Sequence, residues 1–150
     1  MNQPSEFLLR RFRLSPSVRR TLASLAEAVV PAEPAISTAG IVDFIEGFVP
    51  FMSRSLSLLF PLGVHAFELS SLFVKGRTFS RLSPDARQAY VEKWIHARSF
   101  FLREIIRGFK GLCLLAYYSD PQVCEYLGYR PQPYAELVAA ERLHRHGHSI

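Results

Sequence analysis

Cysteine is scarce in this chain, which limits the chemistry it can perform. Among 150 residues the only cysteines are Cys113 and Cys124. Their spacing fits neither a redox pair nor a zinc or haem attachment pattern. We interpret both as reduced thiols in the core, with a disulfide between them as the alternative in an oxidising compartment.

Groups that could act as catalysts are also few and far apart. His65 and His96 have no acid or base partner close in sequence, and no histidine lies near Ser119 and Asp120. Three histidines alternate near the C-terminal end: His144, His146 and His148. A solvated tail is favoured there over a metal site. We therefore predict no catalytic residue, no cofactor-binding residue and no metal ligand in this chain.

No segment of strand length alternates between apolar and polar residues, whereas apolar residues recur at helical spacing throughout. A chain of 150 residues can bury one core but not two. The sequence therefore predicts an all-α fold, a compact single-domain bundle of about six helices broken at prolines. We divide the chain into a basic N-terminal segment at 1–13, a helical domain at 14–129, and a helix and tail at 130–150.

Short cap signals set most of the predicted helix boundaries. Ser15 and Ser83 each precede a proline, which predicts helices that begin at the proline with the serine as N-cap. A break at 96–99 should separate the second of these helices from a long one at 100–118. Asp120 then caps a short helix that begins at the next residue, another proline.

Charged residues are sparse in the middle of the chain. We predict a helix at 41–49 and, after a break at 61–63, another at 64–73. The segment 56–74 has the apolar character of a transmembrane span, but it contains Pro61, His65 and Glu68 and is broken by Gly63, which argues against a span. We interpret the segment as a buried helical pair, covered by its own core or by another chain.

The formal net charge is +5, and arginine carries most of the positive charge. Basic residues crowd the start of the chain: Arg10, Arg11, Arg13, Arg19 and Arg20. A solvated terminus is favoured there over contact with anionic lipid, nucleic acid or an acidic protein. We predict no nucleic-acid partner, because the rest of the chain has no recognised motif for one.

Residues 10–14 read Arg-Arg-Phe-Arg-Leu, which is similar to the start of a twin-arginine export signal. An uninterrupted apolar segment should follow such a signal, but the next residues read Ser-Pro-Ser-Val-Arg-Arg. We therefore expect no cleavable signal, and a location in the cytoplasm or at the membrane periphery. Residues 7–9, Phe-Leu-Leu, together with these arginines favour peripheral membrane contact as a second class of function.

The predicted helix at 100–118 leads into a cluster of tyrosines around a proline corner. Gly108 and Gly111 on its outer side indicate either close approach of another backbone or tolerated glycines. Tyrosine suits surfaces with one apolar and one wet side, so an interface role and core packing both stay open. The residues predicted to bind a partner are Trp94, Leu114, Leu115, Tyr117, Tyr118, Ser119, Asp120, Tyr126 and Tyr129.

Several short motifs point to one protein family. Residues 22–31 follow the pattern Leu-x-x-Leu-x-Glu-x-x-Val-Pro, and residues 79–82 read Phe-Ser-Arg-Leu. Trp94 follows, then Tyr-Tyr-Ser-Asp-Pro at 117–121 and Leu-Gly-Tyr at 127–129. Together they resemble the gluconate 2-dehydrogenase subunit 3 family, whose members are small helical subunits of flavoprotein dehydrogenases.

The resemblance implies a partner, a large FAD-bearing subunit of the glucose-methanol-choline class that oxidises an alcohol or sugar. A cytochrome is often a third partner, and the small subunit itself has no flavin site. Family members commonly carry a twin-arginine signal, and this chain departs from that pattern. The resemblance thus favours a non-catalytic accessory subunit that binds and stabilises the dehydrogenase. The alternatives are a peripheral adaptor of a membrane-associated complex, which uses the Arg-rich N-terminus, and an independent enzyme.

Overall fold

The computed structural model describes residues 12–129, and these residues form six α-helices and no strand. The helices are α1 (Pro16–Val29), α2 (Thr38–Phe48), α3 (Arg54–Lys75), α4 (Pro84–Ile95), α5 (Phe100–Tyr118) and α6 (Pro121–Tyr126). Short 3₁₀ turns at Val49–Phe51 and Phe79–Arg81 follow α2 and α3. The all-α prediction is confirmed. The predicted helix and tail at 130–150, and all but the last two residues of the basic segment, lie outside the described range.

The predicted N-caps of three helices are confirmed. The Ser15 hydroxyl accepts a hydrogen bond from the backbone N–H of the third residue of α1, and Ser83 does the same for α4. The Asp120 carboxylate accepts from the Gln122 N–H at 2.8 Å. A proline occupies the first position of each helix, where its missing N–H costs no intrahelical bond. Local chemistry alone therefore fixes these starts.

The predicted break at residues 61–63 is wrong, because α3 continues through Pro61 without interruption. A proline inside a helix removes one backbone hydrogen bond and costs about 3 kcal/mol relative to alanine. Core packing outweighs that cost, since Phe60 and Val64 on either side of the proline are both buried against the rest of the domain. The helix ends at Gly76, which adopts a left-handed φ of 68°.

Helix α1 lies at the centre of the fold and packs against α2, α3, α4 and α5. Its buried stripe recurs at helical spacing, with Val18, Leu22 and Leu25 at most 1% exposed. On its other side, the Arg19 guanidinium forms ion pairs with Asp43 and Glu46 of α2. These contacts fix the first two helices to each other.

Phe67 of α3 is the centre of an aromatic cluster that joins α3 to α4 and α5. Its ring lies 4.7 Å from Phe79, 5.0 Å from Trp94 and 5.7 Å from Tyr90, measured between centroids. Phe109 of α5 packs edge-on at 6.1 Å. Tilted and edge-on aromatic pairs of this kind stabilise the fold by more than the burial of their apolar area alone would. The inner side of α3 is therefore firmly attached to the domain.

Candidate partner interface

Helix α3 has apolar residues on two opposite sides, and residues 12–129 cover only one of them. Phe60, Val64 and Phe67 recur every three or four residues and are at most 8% exposed. The opposite side is equally apolar and lies open to solvent. We name its five central side chains the α3 outer face: Leu58, Leu59, Leu62, Leu69 and Phe73.

The exposure of this face is large for a protein surface. The fractions range from 51% for Leu69 to 90% for Phe73. From Leu58 to Phe73 the face runs for about 22 Å along the helix, at 1.5 Å per residue. An exposed apolar strip of this length indicates a contact site for a protein, a membrane or a ligand.

The α3 outer face carries no formal charge, and basic residues lie at both of its ends. Between Arg54 and Lys75 the only formally charged residue of the helix is Glu68, which is buried on the inner side. Arg54, Lys75 and the nearby Arg77 are exposed. None of the three pairs with an acidic side chain among residues 12–129.

By length and composition, α3 could cross a membrane. Its most apolar window of 18 residues has a mean hydropathy of 1.5, and 28% of that window is buried in the domain. A core helix of a soluble protein can satisfy the same criteria, but such a helix is mostly buried. Most residues of this window are therefore not buried within the described part of the chain.

A buried hydrogen-bond network around Glu68 holds the inner side of α3 in place. Glu68 is 8% exposed, and its carboxylate accepts hydrogen bonds from the Thr21 hydroxyl of α1 and from the Ser80 N–H, both at 3.1 Å. The Ser80 hydroxyl donates to the same carboxylate. Several donors thus satisfy a buried carboxylate that would otherwise be costly.

Arg87 extends this network to α4. Its guanidinium donates to the Ser80 carbonyl at 2.8 Å and to Glu27 of α1 at 2.6 Å. Ser80 therefore has hydrogen-bond partners on both α3 and α4. The position of α3, and with it the outer face, is fixed by polar contacts as well as by aromatic packing.

A second exposed surface lies where α5 turns into α6. Gly128 adopts a φ of 69°, which non-glycine residues rarely adopt, and the Tyr129 N–H donates to the Cys124 carbonyl at 2.8 Å. We name the exposed apolar side chains here the tyrosine corner: Leu115, Tyr118, Tyr126 and Tyr129. They are between 45% and 62% exposed. These four predicted residues are available to a partner.

Two other predicted partner residues lie in the interior. Trp94 is 9% exposed and packs edge-on against Phe67. Tyr117 is 1% exposed, and its hydroxyl donates to the Glu33 carbonyl at 2.9 Å. Burial raises the pKa of Tyr117, with smaller contributions from Tyr118 and Tyr126. Both side chains contribute to core packing and present little surface to another protein.

The last three predicted residues belong to the local structure of the corner. Leu114 is half-buried, and the Ser119 hydroxyl donates to the Leu115 carbonyl at 2.7 Å. Asp120 is half-buried and caps α6. Ser119 and Asp120 are occupied by backbone hydrogen bonds that shape the turn.

The α3 outer face is absent from the residues predicted from the sequence. The expectation that segment 56–74 forms two helices covered by the chain's own core is wrong, whereas cover by another chain stays a prediction. The segment is part of one helix, and many of its apolar side chains are exposed. A signal was present, because Leu58, Leu62 and Leu69 recur at intervals of four and seven opposite the buried stripe. A helix that is apolar on two opposite sides requires a packing partner on each side.

Gly108 and Gly111 lie on the exposed side of α5. A methyl group added at either position would meet no atom within 4 Å. The described part of the chain therefore gives no steric reason for glycine at these positions.

Both cysteines are free thiols, Cys113 buried and Cys124 half-buried. Burial raises the pKa of Cys113 to about 12, so its thiol stays protonated at neutral pH. Within residues 12–129 no three His, Cys, Asp or Glu side chains gather where they could hold a metal ion.

The sequence was compared with known families, curated proteins and solved structures. The family model for gluconate 2-dehydrogenase subunit 3 matches residues 16–134. The chain belongs to the gluconate 2-dehydrogenase subunit 3 family. No curated protein and no solved structure matches it. The family is that of a subunit of a multi-subunit dehydrogenase, which implies partner chains.

Proposed function

We propose that this chain is a non-catalytic accessory subunit that binds and stabilises a large FAD-dependent dehydrogenase acting on an alcohol or sugar. Membership of a subunit family supports a role inside an assembly. In this proposal the flavin belongs to the large subunit, and a cytochrome is a third partner. The complex lies in the cytoplasm or at the membrane periphery.

The α3 outer face is the observation that carries the proposal. Its five side chains are more than half exposed, although they belong to a helix whose inner side is tightly packed. An isolated domain gains nothing from such a surface, whereas a subunit buries it on assembly. The tyrosine corner adds exposed aromatic groups of the kind enriched in interfaces.

A tagged purification from the native host tests the proposal. The eluate should contain a large dehydrogenase, identified by mass spectrometry, and should show flavin absorbance. Tyr118→Ala and Tyr129→Ala, each at an exposed aromatic residue of the corner, should lower its yield. A colourless eluate without a dehydrogenase would contradict the proposal.

A peripheral adaptor of a membrane complex is the second candidate, favoured by the length and hydropathy of α3. If the chain is such an adaptor, its Arg-rich start should bind anionic vesicles, and this binding should weaken as salt is added. Removal of residues 1–13 should abolish that binding. Vesicle flotation with the full chain and the truncated chain distinguishes the two candidates.

A further inference from the structure

We propose that the α3 outer face is the docking site for the large FAD-bearing subunit. Its occupant would be an apolar surface of that subunit with acidic side chains near both ends. This inference rests on the proposed function and adds where and through which chemistry the two chains meet. It concerns Leu58, Leu59, Leu62, Leu69 and Phe73.

The composition of the face matches the centre of a protein interface. A specific interface buries about 800 Å² on each partner, and its centre is depleted of charged residues. The outer face runs for about 22 Å without a charge. Its rigid inner side means that little conformational freedom is lost on docking.

The charges at the ends of the face define the occupant. Arg54 lies at one end, and Lys75 and Arg77 lie at the other, all exposed and without acidic partners among residues 12–129. A partner with carboxylates at both ends of an apolar strip would pair with these cations. These exposed cations therefore favour a partner that carries acidic side chains.

A second copy of this chain fits the same face poorly. In an antiparallel pair, Arg54 of one copy would face Lys75 and Arg77 of the other, and in a parallel pair like ends would meet. Both arrangements place cations beside cations, and the net charge of +5 adds to the repulsion. Charge complementarity thus favours a different, more acidic chain.

A membrane surface also fits less well than a protein. A helix that binds in the membrane interface typically carries Lys and Arg on its polar side along its length. Helix α3 has such residues only at its two ends, and its inner side is fixed in the domain through Phe67 and Glu68. Because α3 carries no basic residues between its ends, its outer face is better suited to an apolar protein surface than to a membrane surface.

The first experiment combines Leu62→Glu and Leu69→Glu in the full chain. Both residues are more than half exposed, and glutamate is a good helix former, so the fold should persist. The probe is the flavoprotein that co-purifies with the wild-type chain. We expect its dissociation constant to rise at least roughly 100-fold, as for loss of two central interface residues.

Phe101→Glu is the matched control, since Phe101 is 70% exposed but lies in the first turn of α5. Its affinity should stay within roughly threefold of wild type, as for substitutions outside an interface centre. Circular dichroism and thermal unfolding verify that both variants fold. Equal weakening by the control would overturn the assignment to α3.

The outcomes separate this inference from the proposed function. If the wild-type chain captures no flavoprotein, both fail. If it captures one and the double variant binds equally well, only the docking site is wrong. Loss of vesicle binding in the double variant, with flavoprotein binding intact, would assign the face to a membrane. Loss of a wild-type dimer, with flavoprotein binding intact, would assign the face to a second copy.

A second experiment tests the charge of the occupant. Lys75→Glu combined with Arg77→Glu should slow association with the flavoprotein roughly tenfold at low salt, and the difference should shrink as salt is added. Lys93→Glu, an exposed charge reversal on α4, is the control. Unchanged association of the double charge variant would overturn the acidic occupant.

Discussion

Tyr117 and Tyr118 are adjacent in the sequence but have opposite environments. Successive residues of a helix point about 100° apart, so one ring enters the core and the other reaches solvent. The sequence correctly predicts a cluster of tyrosines here, but only the packing of the folded chain decides which rings are exposed. Trp94 and Tyr117 were predicted for the interface for the same reason, because aromatic residues suit both a core and a contact surface.

Gly111 provides a direct test of whether α5 itself needs glycine. Gly111→Ala should raise the free energy of unfolding of the isolated chain by about 1 kcal/mol, since alanine favours a helix and meets no neighbour within 4 Å. Urea unfolding measures the change. Gly76→Ala is the control and should lose stability, because its φ is 68°. A loss at Gly111 would contradict the open surface seen around it.

Cys113 predicts how stability depends on alkaline pH. Its pKa is raised to about 12 in the folded chain, against about 8.5 in an unfolded one. Between these values the unfolded state releases the proton while the folded state retains it, so stability falls as pH rises. The decline should approach roughly 1 kcal/mol per pH unit.

The measurement is urea unfolding between pH 8 and pH 11 for wild type and Cys113→Ala. The variant should be less stable at pH 8, because it leaves a cavity, but its stability should fall less steeply with pH. Parallel pH profiles for the two proteins would show that Cys113 does not cause the decline.

At the scale of secondary-structure elements, the residues at a helix start correctly predict where the helix begins. Ser15, Ser83 and Asp120 begin their helices as expected, because a cap and the following proline act within one turn. Pro61 gave an equally local signal, and there the prediction failed. The packing of Phe60 and Val64 involves residues far away in the sequence, so the sequence pattern could not weigh it against the proline.

Pro61→Ala tests the balance between packing and helix propensity within α3. The change restores a backbone N–H near the Ser57 carbonyl, and alanine is the best helix former. Loss of the rigid proline ring offsets part of this gain through the unfolded state. We expect a net rise of about 2 kcal/mol in the free energy of unfolding, measured with urea. A fall would show that α3 requires the proline.

At the scale of the whole molecule, exposure of α3 depends on what else is bound. The apolar pattern of its outer side was visible in the sequence, but burial by the chain's own core and burial by a second chain give the same pattern. Only the folded arrangement shows that, within residues 12–129, α1, α4, α5 and the 3₁₀ turns cover the inner side and leave the outer side exposed. In our proposal, the large subunit covers the exposed side.

A partner that binds only the folded state should raise the unfolding temperature of this chain. At a free partner concentration of 100 times the dissociation constant, the stabilisation is about 2.7 kcal/mol, or roughly 5–10 °C for a domain of this size. Differential scanning calorimetry with the co-purified flavoprotein measures it. Leu62→Glu with Leu69→Glu should abolish the shift, and a shift of equal size in that variant would contradict docking on α3.

The uncovered α3 outer face also bears on the lifetime of the chain in the cell. A copy made without its partner shows an apolar strip of the kind that chaperones and proteases recognise on incompletely assembled proteins. Copies in excess of the partner would be removed, while assembled copies would persist. The abundance of this chain would then follow that of the large subunit, even if the two chains were synthesised in unequal amounts.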